Sequence, residues 1–405
     1  MRIRYEQKQD WTSELLADKS WRMEMVNFTQ SFTIAPNQSS SVNLLADSVR
    51  FHETFAPTGI TIDRTISPIL YVIGLSCNPL SAYIWLSRKT RRNNSSAIYL
   101  GVLSISHFIF LILHIFVELN VAWGIKTYNK QVSCEVFYAF YYIPQYLAPL
   151  LILGFTVERY IAVCHPFKKE KFCTVRRAFI VVCALLAFSV CLGLMQAYIW
   201  TFDPIYRDCN HREEVSRGGE ASFVNVWTWT TELLMFGVVP LAALLFNILV
   251  IHEIKSLTNR GPAYQQPGSG SPMASTVTLL SVSFYLICTW LPATLVYSLQ
   301  TLFFPNPYVS KEEVKDDPTW QRYFVYYPVR KIVEEITLSN SACYFFIYAI
   351  TGKHFRDRVV AIFDVRRCSR CKHARQKKRT GDSKYYVAVS KMEHVTNGNT
   401  IETNV

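Results

Sequence analysis

The chain has 405 residues and a formal charge of +12, yet only 18% of its residues are charged, while 50% are hydrophobic and 14% are aromatic. Soluble domains carry about a quarter charged residues, so this composition argues against an ordinary water-soluble enzyme and for a membrane protein. The positive surplus suits anionic lipid at an inner membrane face better than nucleic acid, which is not an expected partner.

Residues 1–65 are mixed polar, without cysteine, and read as an extracellular amino-terminal tail with no folded domain of its own. Its last part, near 50–64, is a candidate peptide-contacting segment. The first 20 residues lack an apolar core, so no cleavable signal peptide is expected. Asn27-Phe-Thr29 and Asn37-Gln-Ser39 are glycosylation sequons in this tail. Apolar runs then follow at 66–87, 97–119, 134–160, 178–200, 226–251, 276–303 and 329–351. At about 1.5 Å per helical residue each run can cross a hydrocarbon core of about 30 Å. The expected fold is an all-α membrane protein, a seven-transmembrane helix bundle over 66–351. A short amphipathic eighth helix over 352–365 and a cytoplasmic tail over 366–405 complete it.

Lys and Arg set the orientation, because cytoplasmic loops near the span ends carry the excess of positive charge. The segment after 351 has 13 Lys/Arg against 5 Asp/Glu, whereas 201–225 has 3 against 5 and 1–64 has 7 against 8. The amino terminus is therefore expected outside and the carboxyl terminus inside a multi-pass plasma-membrane protein. Of 11 cysteines, only Cys134, at the outer end of its span, and Cys209 are then left in the oxidising compartment. They are expected to form one disulfide, the alternative being two free outer thiols.

Chemistry-bearing motifs sit at the span ends. The third span carries Cys134 at its outer end and Glu158-Arg159-Tyr160 at its inner end, 25 residues on from the cysteine to Arg159. This arrangement resembles the third helix of rhodopsin-like (class A) G-protein-coupled receptors. Further matches are Gly74 to Asn78 on span one, Pro166-Phe167 after span three, Pro240 on span five and Cys288-Thr-Trp290-Leu-Pro292 on span six. The resemblance covers about 66–365. It implies that Glu158 neutralises Arg159 at rest, that Arg159 and Phe167 contact a heterotrimeric G protein, and that Trp290, Pro292, Pro240 and Tyr348 take part in switching. The stretch from Arg159 to Lys168 is also similar to invertebrate receptors of the FMRFamide type.

Departures from the family pattern are equally specific. His107 stands where the family places a sodium-binding aspartate on span two, Ile248 replaces a tyrosine on span five, and Tyr344 replaces the asparagine of the span-seven motif. Histidine is a poor ligand for a hard cation, so sodium binding should be weak or absent. The span-four tryptophan is also missing, with Phe188 a candidate to fill its space. Asn78 should hydrogen-bond to helix two or seven.

Tyr141 occupies the position of the monoamine-binding aspartate and Leu338 that of the retinal-binding lysine, which argues against both ligand classes. Tyr138, Tyr141 and Gln145 share one face of helix three. Glu118, Glu232 and Glu334, with Glu335 beside it, are carboxylates at membrane depth, where ionisable residues usually face the bundle interior. Together with Trp290 they form an acidic, aromatic cup suited to a cationic or amidated neuropeptide; pairing of the acids with Arg330 and Lys331 is the alternative use. Cys368 and Cys371 are candidate palmitoylation sites, and Thr403 to Val405 could join a PDZ scaffold. Arrestin is a further expected partner, and neither cofactor, metal nor catalysis is expected. Two other functions remain at this stage: a constitutive or decoy seven-helix receptor, and a transporter or channel.

Overall fold

A computed structural model describes residues 48–92, 94–204, 207–218, 221–259, 272–303 and 311–363. Asn27, Asn37, Cys368, Cys371, Thr403 and Val405 lie outside these residues. The chain forms two compact units, Met1–Thr351 and Gly352–Val405.

The first unit is a helical bundle. Helix α1 (Ser48–Phe55) precedes the long helices α2 (Pro57–Leu86), α3 (Ser96–Val121), α4 (Ser133–Cys164) and α5 (Val175–Ile199). A hairpin of β1 (Trp200–Asp203) and β2 (Asp208–His211) follows. Then come α6 (Phe223–Glu232), a π-helical turn at Leu233–Val238, α7 (Val239–Asn259), α8 (Pro272–Phe303), α9 (Lys311–Asp316) and α10 (Pro318–Thr351). Helix α2 packs on α3 and α10, α10 on α8, and α8 on α7. Helix α4 touches α3, α5, α7 and α8 and so occupies the middle of the bundle.

Six stretches of the described residues are long and apolar enough to cross a membrane, in α2, α3, α4, α5, α6–α7 and α8. The seventh helix, α10, has the length but carries Arg330, Lys331, Glu334 and Glu335 within two turns. These residues are largely buried, with Arg330 bonded to Glu334 within α10 and Lys331 to Asp63 of α2, which is why a bundle can hold so charged a helix.

Two boundaries differ from the sequence reading. Helix α2 begins at Pro57 and is preceded by α1, so the end of the expected tail is helical. Helix α10 begins at Pro318, well before residue 329. Both extensions have one cause, an aromatic cluster in which Phe51 meets Trp320 at 5.1 Å and His52 stacks on Tyr327 at 4.3 Å. His52 Nε2 and the Tyr323 hydroxyl add a 2.9 Å hydrogen bond. Phe188 is 45% exposed and so does not fill the interior space expected of it.

Proline explains the π-helical turn. Pro240 has no N–H, so the carbonyl four residues earlier loses its helical donor. That carbonyl, Phe236 O, instead accepts the Thr294 hydroxyl of α8 at 3.3 Å, which ties α7's entry to α8.

The second unit's described helix, α11 (Lys353–Phe363), is amphipathic: Val360, Ile362 and Phe363 are exposed beside Lys353, Arg356 and Arg358. The Arg356 N–H donates to Gly352 O at 2.9 Å, closing its first turn.

Candidate functional site

One end of the bundle is closed by the β1–β2 hairpin. A Cys134–Cys209 disulfide joins the start of α4 to β2, and the hairpin register sets Trp200 opposite His211. Trp200 lies flat on Tyr138 at 3.8 Å and donates through Nε1 to Gln196 at 3.2 Å. Gln196 Nε2 in turn donates to the Tyr146 hydroxyl at 3.0 Å. Tyr138 is therefore the floor under the hairpin, buried among Tyr128, Val215 and Val224. His211 packs edge-on to Trp200 at 4.4 Å, and burial pushes its imidazole down to about 4. It is neutral at physiological pH.

Helix α4 presents Tyr141 next, against Phe110 at 5.8 Å and Phe137 at 5.9 Å. Gln145 Nε2 donates to Tyr141 O at 3.3 Å. Glu232 is half-buried at the end of α6, and Trp290 of α8 packs on Phe236 at 4.4 Å.

The carboxylates divide into two kinds. Glu334 is already neutralised: Arg330 Nε donates to it at 2.7 Å, Lys331 Nζ lies at 2.9 Å and the Tyr297 hydroxyl donates at 3.0 Å. Lys331 also reaches Asp63 on α2 at 2.7 Å. Glu118 on α3 is only 8% exposed, and its Oε1 has no hydrogen-bond partner among the described residues. Glu335 receives the Ser67 hydroxyl at 2.5 Å on one oxygen, while the buried Oε2 has no partner among them. Glu118, Asp63, Glu334 and Glu335 interact electrostatically with Lys331, whereas Arg330 acts on Asp63 and Glu334. Sequence reasoning passed over Asp63, although an acid opening an apolar run was a usable signal, and over Ser67, which offered none.

Midway along the bundle, Asn78 Nδ2 donates to Ser341 O on α10 at 2.8 Å, in line with its expected role. His107, 3% exposed, stacks on Tyr344 with ring centroids 5.1 Å apart and planes 13° from parallel. Asn340 is engaged elsewhere: it donates to Thr289 at 2.7 Å and accepts from the Tyr344 hydroxyl at 2.8 Å. The column continues from Tyr344 to Tyr348, which meets Trp85 edge-on at 5.4 Å.

At the far end of α4 the expected Glu158–Arg159 ion pair is absent among the described residues. Glu158 instead accepts the Ser95 hydroxyl at 2.5 Å and that of Ser96 at 3.5 Å. Adjacent residues on a helix point about 100° apart, so Glu158 faces α3 while Arg159 lies over Phe155 at 5.6 Å, its Nε without a hydrogen-bond partner among the described residues. Tyr160 packs on Phe246 at 5.3 Å, Ile248 is 53% exposed, and Phe167 is fully exposed.

Residues 79–329 match the profile of the 7 transmembrane receptor (rhodopsin family). Similar proteins include the FMRFamide receptor of Drosophila melanogaster, 23% identical across 53% of this chain and 37% of that one. Neurotensin receptor type 2 of Homo sapiens is 27% identical across 53% of each chain. The pyrokinin-1 receptor of Drosophila melanogaster is 24% identical across 51% of this chain and 47% of that one. The match spans about half or less of the length of these curated relatives.

Proposed function

The chain belongs to the rhodopsin family of seven-transmembrane receptors, and on that premise we propose that it is a plasma-membrane receptor for a cationic or amidated neuropeptide. The amino-terminal tail faces outward in this reading, the carboxyl tail inward, and a heterotrimeric G protein takes the signal from Arg159 and Phe167. The receptor does no covalent chemistry and needs no cofactor.

One observation carries the ligand class: Glu118 Oε1 and Glu335 Oε2 are buried carboxylate oxygens without a hydrogen-bond donor among the described residues. A buried carboxylate left unpaired is costly. A guanidinium or ammonium group entering between α3 and α10 supplies the missing partner, while Tyr141, Gln145 and Trp290 offer flat and polar contacts from the other side. Glu334 plays a different part. It engages Arg330 and Lys331, and Lys331 also ties α10 to α2 through Asp63. The relatives named for peptides support the peptide reading.

The same arrangement suggests how the signal travels. Drawing α3 and α10 together at Glu118 and Glu335 would be felt by the His107–Tyr344 stack between the same two helices, about three turns deeper, and Tyr344 is bonded through Asn340 to Thr289 of α8. A shift of α8 would uncover Arg159, whose guanidinium has no ion-paired carboxylate among the described residues. That last feature also supports a second reading, a constitutive or decoy receptor, because no ion pair among those residues restrains Arg159. Expressing the chain, applying a library of amidated neuropeptides and recording G-protein activation separates the two. Peptide-dependent activation supports the receptor; ligand-independent arrestin recruitment with no response to any peptide supports the decoy. Ion current without G-protein activation would favour a channel.

A further inference from the structure

On the outside of the bundle, the last two turns of α8 and the first three of α10 leave an open groove of about 620 Å3. Val296, Leu299 and Phe303 form one wall at helical spacing, and Arg322, Val325 and Tyr326 form the other. The floor is fixed, since the Tyr326 hydroxyl donates to Val296 O at 2.8 Å and its ring stacks on Phe303 at 4.8 Å. Val325 is 73% exposed, and the same face of α10 continues through exposed Val329, Ile332 and Ile336. The groove therefore opens onto the surface that meets hydrocarbon.

Arg322 is the charged residue of this lining, and it is exposed with no ion pair among the described residues. Nearby Asp317 is engaged at the helix start, where it accepts the Thr319 N–H at 2.7 Å. Depth selects what reaches Arg322. The stretch of α10 from Arg322 to Thr351 rises about 43 Å at 1.5 Å per residue, and a bilayer with its headgroups is about 40–45 Å thick. With Thr351 near one face, Arg322 stands at headgroup level on the other, directly above an apolar slot. Guanidinium pairs well with phosphate oxygens, by charge and by two parallel hydrogen bonds.

We propose that this groove is a phospholipid site, with one acyl chain lying between α8 and α10 and the lipid phosphate paired with Arg322. The assignment requires only the membrane-spanning fold and stands apart from the peptide-receptor reading. The test uses the full chain reconstituted in phosphatidylcholine vesicles with a trace of phosphatidylcholine carrying a photoreactive acyl chain, followed by mapping of the labelled residues. Labelling should concentrate on Leu299, Phe303, Val325 and Val329, and fall about fivefold in Arg322→Gln, the loss expected for one exposed ion pair. Val325→Trp, a substitution at an exposed position that fills the slot, should lower it as well. A diacylglycerol probe with the same chain but no phosphate should label the wild type only at the Arg322→Gln level. Labelling spread evenly along all lipid-facing helices, or equal labelling by the two probes, overturns the proposal.

Discussion

Glu118 offers the sharpest test of the cup. Its carboxylate is buried on α3 with Oε1 unpaired among the described residues, while the neighbouring cations are already bonded to Glu334 and Asp63. Glu118→Gln keeps the shape and removes the charge. A charged hydrogen bond contributes about 1.5–3 kcal/mol, so a cationic agonist should lose roughly ten- to a hundredfold in potency. An analogue with citrulline in place of arginine keeps the side-chain shape without the charge, and it should change by less than about threefold. The assay is a pair of concentration–response curves for G-protein activation, in wild type and variant, with the most potent library peptide and its citrulline analogue. Receptor number at the cell surface is matched in both. Equal losses for the two peptides would refute the charge-pair role, because a merely structural effect cannot distinguish them.

Other outcomes follow from the same geometry. Glu334→Gln removes the carboxylate between Arg330 and Lys331, and breaking a buried pair costs about 3–5 kcal/mol; the variant should melt at lower temperature, whereas Glu118→Gln should not. Agonist affinity should be insensitive to sodium at constant ionic strength, since His107 is stacked on Tyr344 where the family's aspartate would stand; a sodium-dependent loss measured by radioligand binding would contradict this. Thr294→Val removes the hydroxyl that reaches Phe236 O and should destabilise the chain by about 1 kcal/mol, read as a lower midpoint in a thermal melt. His211 stays neutral when folded but takes a proton near pH 6.5 when unfolded. Because burial pushes it down to about 4, its contribution to stability is full above pH 6.5 and is lost as pH falls towards 4. His211→Phe should flatten the fall in melting temperature across that window.

How much of this could be read from the chain depends on the range of the interactions involved. The spans were legible because membrane depth imposes a local rule on about 20 successive residues, and α4 was legible because Cys134 and Arg159 mark its two ends. Helix boundaries at Pro57 and Pro318 were not, because they depend on Phe51 and His52 meeting Trp320 and Tyr327 across the sequence. Tyr138 shares a helical face with Tyr141, yet Trp200 covers it, and only the disulfide and the hairpin register decide that. Similarly, Glu158 and Arg159 look like a pair when adjacent in sequence, but consecutive helical residues diverge, and the hydroxyls of Ser95 and Ser96 take the carboxylate.

The acids of α10 illustrate why a site can be harder to read than the fold that holds it. Glu334 and Glu335 are neighbours of the same chemical type, and sequence alone treats them as nearly equivalent. A step of about 100° around the helix turns one toward Arg330, Lys331 and Tyr297, and the other toward Ser67 of α2. The first becomes part of a neutral, well-bonded strut between helices. The second keeps a buried oxygen without a donor among the described residues, with Glu118 of α3 close by. A cation bonded to both Glu118 and Glu335 would favour one spacing of α3 and α10 over another, and such a difference in affinity is the condition any switch must meet. Helix α4 then supplies the fixed axis about which that difference is expressed, with its disulfide at one end and Arg159 at the other.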